Sequence, residues 1–169
     1  MAIRTIITRD HPNIHAKAKR VPSVDDSIRA LMDDMVETML AAPGVGLAAT
    51  QIDVSLRVFV MKIDNQIYHV ANPELIKSSG EQINQEGCLS VPGWIGETNR
   101  AEWVHIKGLN RQGKQIRIKG DGLLAQCIQH EMDHLDGGLY LDRLTSLDTL
   151  RELTEADEQD EEIAEQLAE

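Results

Sequence analysis

Basic residues are missing from the last eighteen positions of this chain: residues 152–169 hold nine of its 28 acids and none of its 17 bases. The body is left with nineteen acids against seventeen bases, so most of the net charge of −11 belongs to the end. A near-neutral body has no broad basic footprint and the acidic end repels phosphate, so direct nucleic-acid binding is not expected. No apolar run approaches the roughly 20 residues that a membrane span needs. The first residues lack the pattern of a signal peptide and that of an Arg-rich, acid-poor transit peptide, which makes the cytoplasm the expected location. Two cysteines are too few to suggest a disulfide framework and fit a reducing compartment. No internal repeat occurs, and Gly44-x-Gly46 lacks the Lys-Ser/Thr that a P-loop requires. His11, His15, His69 and His105 have no companion at ligand spacing and are read as packing or surface residues.

What is present describes one domain. A chain of 169 residues with 41% hydrophobic content is long enough to bury a single core. Residues 1–151 are expected to form that unit, with 152–169 as an acidic end, helical or frayed. His11-Pro12-Asn13-Ile14 begins an extended segment to Val21-Pro22, after which Ser23 and Asp26 are placed to cap a helix. Ile28, Leu31, Met32, Met35, Val36, Met39 and Leu40 then form a continuous helical stripe, more consistent with core packing than with a binding groove. From Arg57 to Ile63 and from Ile67 to Val70 the pattern is that of paired strands around Asp64-Asn65-Gln66. Asn72-Pro73 is expected to break the run before a short strand at 74–77, with 78–80 as loop. Trp103 to Gly108 and Gln115 to Lys119 form the best hairpin. The expected class is therefore α+β: antiparallel sheets packed around a central helix, with an N-terminal amphipathic helix and a C-terminal helix. Leu147, Leu150 and Leu153 are placed to pack that last helix, and the rest of the acidic end is read as solvated.

The central helix is expected over about residues 122–136, stopped by Gly137-Gly138, and it carries His130-Glu131-x-x-His134. Residues four apart lie one turn apart on one face, so two imidazoles can reach one ion. Glu131 sits about 100° round the helix, beside the ion and free to take a proton from water. A catalytic site of this kind needs a third protein ligand. The pattern that continues through a glycine to a third His fits at Gly137 but ends on Tyr140. Glu152 and Glu155 lie where another protease subtype places a Glu. Cys127 shares the helix face, but seven residues put it about 10.5 Å along the axis from His134, so it is better read as a buried hydrophobe. Cys88 can approach from a separate strand or turn, and is equally a candidate for a buried, inert thiol.

Gly44-Val45-Gly46-Leu47-Ala48-Ala49-Thr50-Gln51, Glu86-Gly87-Cys88-Leu89-Ser90 and Gln129-His130-Glu131-Met132-Asp133-His134-Leu135 resemble, in order, the three signature motifs of the peptide deformylase family. Together they are highly specific, and the likeness runs from about His11 to Leu144. The resemblance implies Cys88, His130 and His134 as metal ligands and Glu131 as the proton carrier. It implies the Gln51 amide and the Leu89 backbone N–H as donors to a tetrahedral oxyanion. It implies hydrolysis of the formyl group from the N-terminal formylmethionine of nascent polypeptides, releasing formate. Val45, Gly46 and Ile128 are carried over as the pocket for the methionine side chain and peptide. Fe²⁺ is the implied metal, with Zn²⁺, Ni²⁺ or Co²⁺ able to substitute because thiolate and imidazole suit several ions. Ribosome proximity and a bacterial cytoplasm are the implied setting. The stretch Gly93 to Asn99, expected as a loop, departs from common family patterns near Ile95 and Thr98, whereas Arg100 matches. Trp94 in that loop is expected either as an apolar wall over the cleft or as an exposed ring without a role.

Overall fold

A computed structural model describes residues 2–168; Met1 and Glu169, the outer ends of the two expected segments, lie outside the described residues. The first helix, α1 (Asp26–Ala41), begins two residues later than a cap by Ser23 would place it, because the Asp25 carboxylate accepts from Ile28 N–H at 3.0 Å and takes the N-cap position. Ile28, Leu31, Met32, Met35 and Met39 are all buried on its inner stripe, so the methionines pack the core.

The strands β1 (Gly46–Ala48), β2 (Val58–Ile63), β3 (Gln66–Ser79), β6 (Trp103–Leu109) and β7 (Gln115–Asp121) form one antiparallel sheet in the order β1-β2-β3-β6-β7. Two consecutive left-handed residues, Asp64 (φ 50°) and Asn65 (φ 64°), make the tight β2–β3 turn. A second sheet holds β4 (Gln82–Cys88), β5 (Val91–Arg100) and the two-residue β8 (Arg151–Glu152). Phe59, Met61, Val70, Val104 and Ile106 pack one face of the larger sheet against α2 (Gly122–Leu135). Val58, Val60 and Ala71 pack its other face against α1. A last helix, α3 (Glu155–Ala168), follows β8.

Several local expectations are corrected. The run from His11 to Pro22 is not extended throughout, since Pro12–His15 forms a 3-10 turn capped by the His11 ring. Asn72-Pro73 does not end the strand. Asn72 adopts a left-handed backbone (φ 50°) within a bulge, and its buried amide bonds both Val21 N–H and Val21 C=O at 2.9 Å, replacing lost ladder bonds. The strand therefore continues through 74–79. Gly93 to Asn99 is not a loop either. Its weak β-formers are held in β5 by pairing of Ile95 to Asn99 with β4 and of Trp94 and Ile95 with β8, and Ile95 and Thr98 are buried.

Candidate metal centre

Three elements deliver the site. α2 carries His130, Glu131 and His134; Cys88 ends β4 at the turn into β5; Gln51 lies in the 3-10 turn Ala49–Ile52 that follows β1. The carboxyl end of α2 is held in place from outside: Ala18 N–H and the Arg57 guanidinium both donate to Leu135 C=O, at 2.8 and 3.0 Å. A cation at that end also opposes the helix dipole. Gly137, at φ 85°, stops the helix where its missing Cβ would stand 2.4 Å from His15 C=O.

Cys88 Sγ lies 3.3 Å from His134 Nε2, and His134 Nε2 lies 3.2 Å from His130 Nε2. All three donor atoms fall within 4.8 Å of one another. Ligands on one tetrahedral ion at about 2.0–2.3 Å stand roughly 3.3–3.8 Å apart, so the two short separations are close to those that one divalent cation requires. The donor set, a thiol and two imidazoles, is also chemically suited to such an ion. Glu152 pairs in β8 opposite Trp94 and Glu155 opens the exposed helix α3, so neither belongs to this cluster. Cys127 is buried in the core with its Sγ 3.8 Å from Val45 C=O, and burial pushes its thiol well up.

Behind the donors stands a charged network that the sequence reading did not assign. Glu86 Oε1 meets His130 Nδ1 at 2.5 Å. The same carboxylate accepts from Arg100 at 2.6 and 2.8 Å and from Thr98 Oγ1 at 2.7 Å. Arg100 also reaches Asp133 at 2.9 Å, and Asp133 is bound a second time by Arg143. Burial would raise the Glu86 carboxyl, but the His130 and Arg100 hydrogen bonds outweigh it and bring it down to about 2. His130 is thereby fixed as an Nδ1 donor with Nε2 turned to the cluster, the role carboxylates play behind metal-bound histidines. The signal was present: Glu86 and Asp133 are carboxylates inside the motifs that carry Cys88 and the two histidines, and Arg100 already matched the family pattern.

Glu131 is 3% exposed, and its Oε2 has no hydrogen-bond partner among the described residues. Burial pushes its carboxyl up to about 7. A buried carboxyl near that value can take a proton and return it at neutral pH. Gly46 makes room for it, since a Cβ there would stand 2.4 Å from Glu131 Oε1 and 2.9 Å from Cys127 Sγ. The Gln51 side chain is oriented by Ala48 N–H, which donates to Oε1 at 2.9 Å, leaving Nε2 directed to Ser90 Oγ at 3.1 Å and Cys88 Sγ at 3.6 Å. Leu89 follows Cys88 in the turn and packs half-buried against the α1 core. Val45 is 47% exposed beside Gly46, whereas Ile128 is fully buried. Trp94 is half-buried in β5, packed with Cys88 and Tyr140 in a third cluster, and its C=O accepts from Tyr140 O–H at 3.1 Å.

Known proteins resemble this chain in sequence and in fold. The family model described as polypeptide deformylase matches residues 3–150. A peptide deformylase of Dehalococcoides mccartyi is 52% identical over 167 residues, 98% of this chain and 100% of the relative. One from Thermomicrobium roseum is 43% identical, covering 97% and 98%. Among solved structures, a peptide deformylase from Legionella pneumophila superposes with a TM-score of 0.84 at 41% identity, covering 98% and 97%. One from Ehrlichia chaffeensis in complex with actinonin gives 0.85 at 34% identity, covering 96% and 98%.

Proposed function

The chain belongs to the peptide deformylase family, and on that premise we propose that Cys88, His130 and His134 hold its metal and that Glu131 moves the proton of the reaction. The reaction is hydrolysis of the formyl amide of N-formylmethionyl peptides, which releases formate and a free amino terminus. The observation that carries the assignment is the convergence of one thiol and two imidazole nitrogens beside a buried carboxyl with an unpartnered oxygen. α2 is read as the central support of the site, because it presents both imidazoles and the carboxyl from successive turns.

A divalent ion held by these donors supplies Lewis acidity and makes water acidic near neutral pH. Glu131 accepts the proton of the attacking water as its oxygen bonds to the formyl carbon. The carbonyl electrons move onto oxygen, where Gln51 Nε2 and the Leu89 N–H donate to the developing charge. Each such donor contributes about 3 kcal/mol when preorganised. Gln51 is preorganised by its Ala48 bond, so its amide need not turn during the reaction. As the C–N bond breaks, Glu131 returns the proton to the departing amine nitrogen. Gly46 of β1 and Val45 just before it are assigned to border the path of the substrate, and the buried Ile128 to line the pocket for the methionine side chain.

Fe²⁺ is assigned as the resident metal from the family resemblance, with Zn²⁺, Ni²⁺ or Co²⁺ as substitutes because a thiolate and two imidazoles suit several divalent ions. The catalytic unit is assigned to residues 1–151, since every residue named above falls between Val45 and His134. A bacterial cytoplasm and proximity to the ribosome follow from the substrate, the amino terminus of a chain still being made. No helix is long and apolar enough to cross a membrane among the described residues. The test is formate release from a formyl-methionyl peptide by anaerobically iron-loaded protein, with a chelator-treated control. Chelator-sensitive release that Cys88→Ser abolishes together with bound metal supports the ligand assignment. Release that survives loss of the Cys88 thiol refutes it.

A further inference from the structure

The near-neutral charge of the body conceals a local imbalance on the larger sheet. Along β6, Val104, Ile106 and Gly108 are buried, and the alternate residues Trp103, His105 and Lys107 face outward. The register sets His105 between Lys77 of β3 and Lys119 of β7, and Lys107 between Glu74 and Arg117. Glu74 is already engaged with Lys107 and Arg20. Lys77 and Lys119 make no ion pair among the described residues, and Arg117 has only the His105 ring, at 3.3 Å. Desolvation and then Lys119 and Arg117 push the His105 ring below its usual value. Trp103, 6.3 Å from His105 between ring centroids, and the lysine stems add apolar surface.

The complementary surface is on the same chain but is not used there. α3 begins directly after β8, which is tied to β5 of the smaller sheet through Trp94↔Glu152. Ile163 and Leu167 are 54% and 84% exposed, one turn apart. By helical geometry Ala156 and Asp160 share their face, and Glu155 and Glu162 border it. None of Glu155, Asp160 and Glu162 makes an ion pair among the described residues, whereas Asp157 pairs with Arg151. Glu155 and Glu162 stand about 10.5 Å apart along the axis. Lys77 and Lys119 stand two strand spacings apart, about 9.6 Å.

We infer that α3 of one copy docks its Ile163–Leu167 face, flanked by Glu155, Asp160 and Glu162, on the basic face of β3–β6–β7 of a second copy. Reciprocal exchange about a two-fold axis closes the assembly as a dimer. A polyanion such as RNA meets the same cations, but it also meets the acids of two α3 helices, and it offers nothing to Ile163 and Leu167. A second copy satisfies charge and apolar surface together.

Sedimentation equilibrium of the full chain tests the assignment, at about 50 mM and about 500 mM NaCl, where screening lengths differ several-fold. A dimer is expected at about 100 µM protein in low salt, dissociating at least about tenfold more readily in high salt. Lys77→Glu/Lys119→Glu and Glu155→Lys/Glu162→Lys should each weaken the dimer at least about tenfold, and all four changes in one chain should restore it. Ile163→Ser/Leu167→Ser should weaken it without changing its salt dependence. Unchanged melting and unchanged formate release in the Lys77/Lys119 variant show that the fold and the site are intact. A monomer at every concentration in low salt overturns the assignment. So does a dimer indifferent to both charge reversals, or one that the fourfold exchange fails to restore.

Discussion

Replacing Arg100 by Met isolates what the charged network behind the donors contributes. The Arg100 side chain is 3% exposed and lies between Glu86, at 4%, and Asp133, at 16%. It supplies two of the short bonds to the Glu86 carboxylate. Its loss leaves a buried carboxylate with only Thr98, His130 and a long contact at 3.5 Å from Gln126. Removing one member of a buried pair costs about 3–5 kcal/mol, because the remaining charge is stranded. Asp133 retains Arg143, so it should add little to that cost. For a domain of this size the change lowers the melting temperature by roughly 6–20 °C, at about 2–4 °C per kcal/mol. Urea unfolding of chelated protein measures the structural part directly.

A second measurement separates stability from orientation. Glu86→Gln keeps the shape of the side chain and removes its charge, so His130 Nδ1 loses its strong acceptor. Metal affinity, measured by competition with a chromogenic chelator, should fall about 10- to 100-fold. The double variant Glu86→Gln/Arg100→Met should be more stable than Arg100→Met alone, because no carboxylate is then stranded. A destabilisation below about 1 kcal/mol for Arg100→Met, the scale of an exposed pair, would refute the reasoning.

Glu131→Gln should keep stoichiometric metal and lose turnover by at least about 10²-fold, the share of a positioned acid–base group, as read by formate release and metal analysis on one sample. Gly46→Ala places a Cβ against both Glu131 and Cys127; turnover should fall more than tenfold while the melting temperature drops by only a few degrees, an overpacking cost of about 1–3 kcal/mol, and full activity would show that β1 can retreat without consequence. Asp157 is held below its ordinary value of 3.8, first by the Arg151 hydrogen bond and then by Thr154. Its contribution is therefore present above about pH 3.8 and lost as pH falls through the lower folded value. Ellipticity of α3 should decline in that window, and Asp157→Asn should remove the dependence.

Much of the architecture was legible because it is periodic. The α1 stripe, the alternation along β6 and β7 and the helical span around His130 each repeat one physical rule several times, so local exceptions do not hide them. What escaped depends on single residues acting across the chain. Asn72-Pro73 reads as a break because proline removes a donor, and only the buried bonds from the Asn72 amide to Val21 turn that break into a bulge. Gly93-Trp94-Ile95-Gly96 reads as a loop on propensity, yet its partner strand β4 carries Cys88, so holding the proposed metal ligand in register requires β5 to pair.

The site shows the same division more sharply. Spacing on α2 fixes His130 and His134 relative to each other, but no spacing joins them to Cys88, forty-odd positions away; the structure does so by ending β4 against α2. Asp133 is the instructive residue. It lies between the two imidazoles in sequence and, at 100° per residue, off their face, so it faces Arg100 and Arg143 instead of the donor cluster. A lone carboxylate beside two ligands looks like a competing donor. Its double arginine pairing removes it from that competition and, through Arg100, ties it to the Glu86 carboxylate that holds His130. One short helical segment thus carries the two imidazoles, the proposed proton carrier and an anchor of their support within five positions, which is why so few residues can define the candidate site while a buried charge network is needed to hold it.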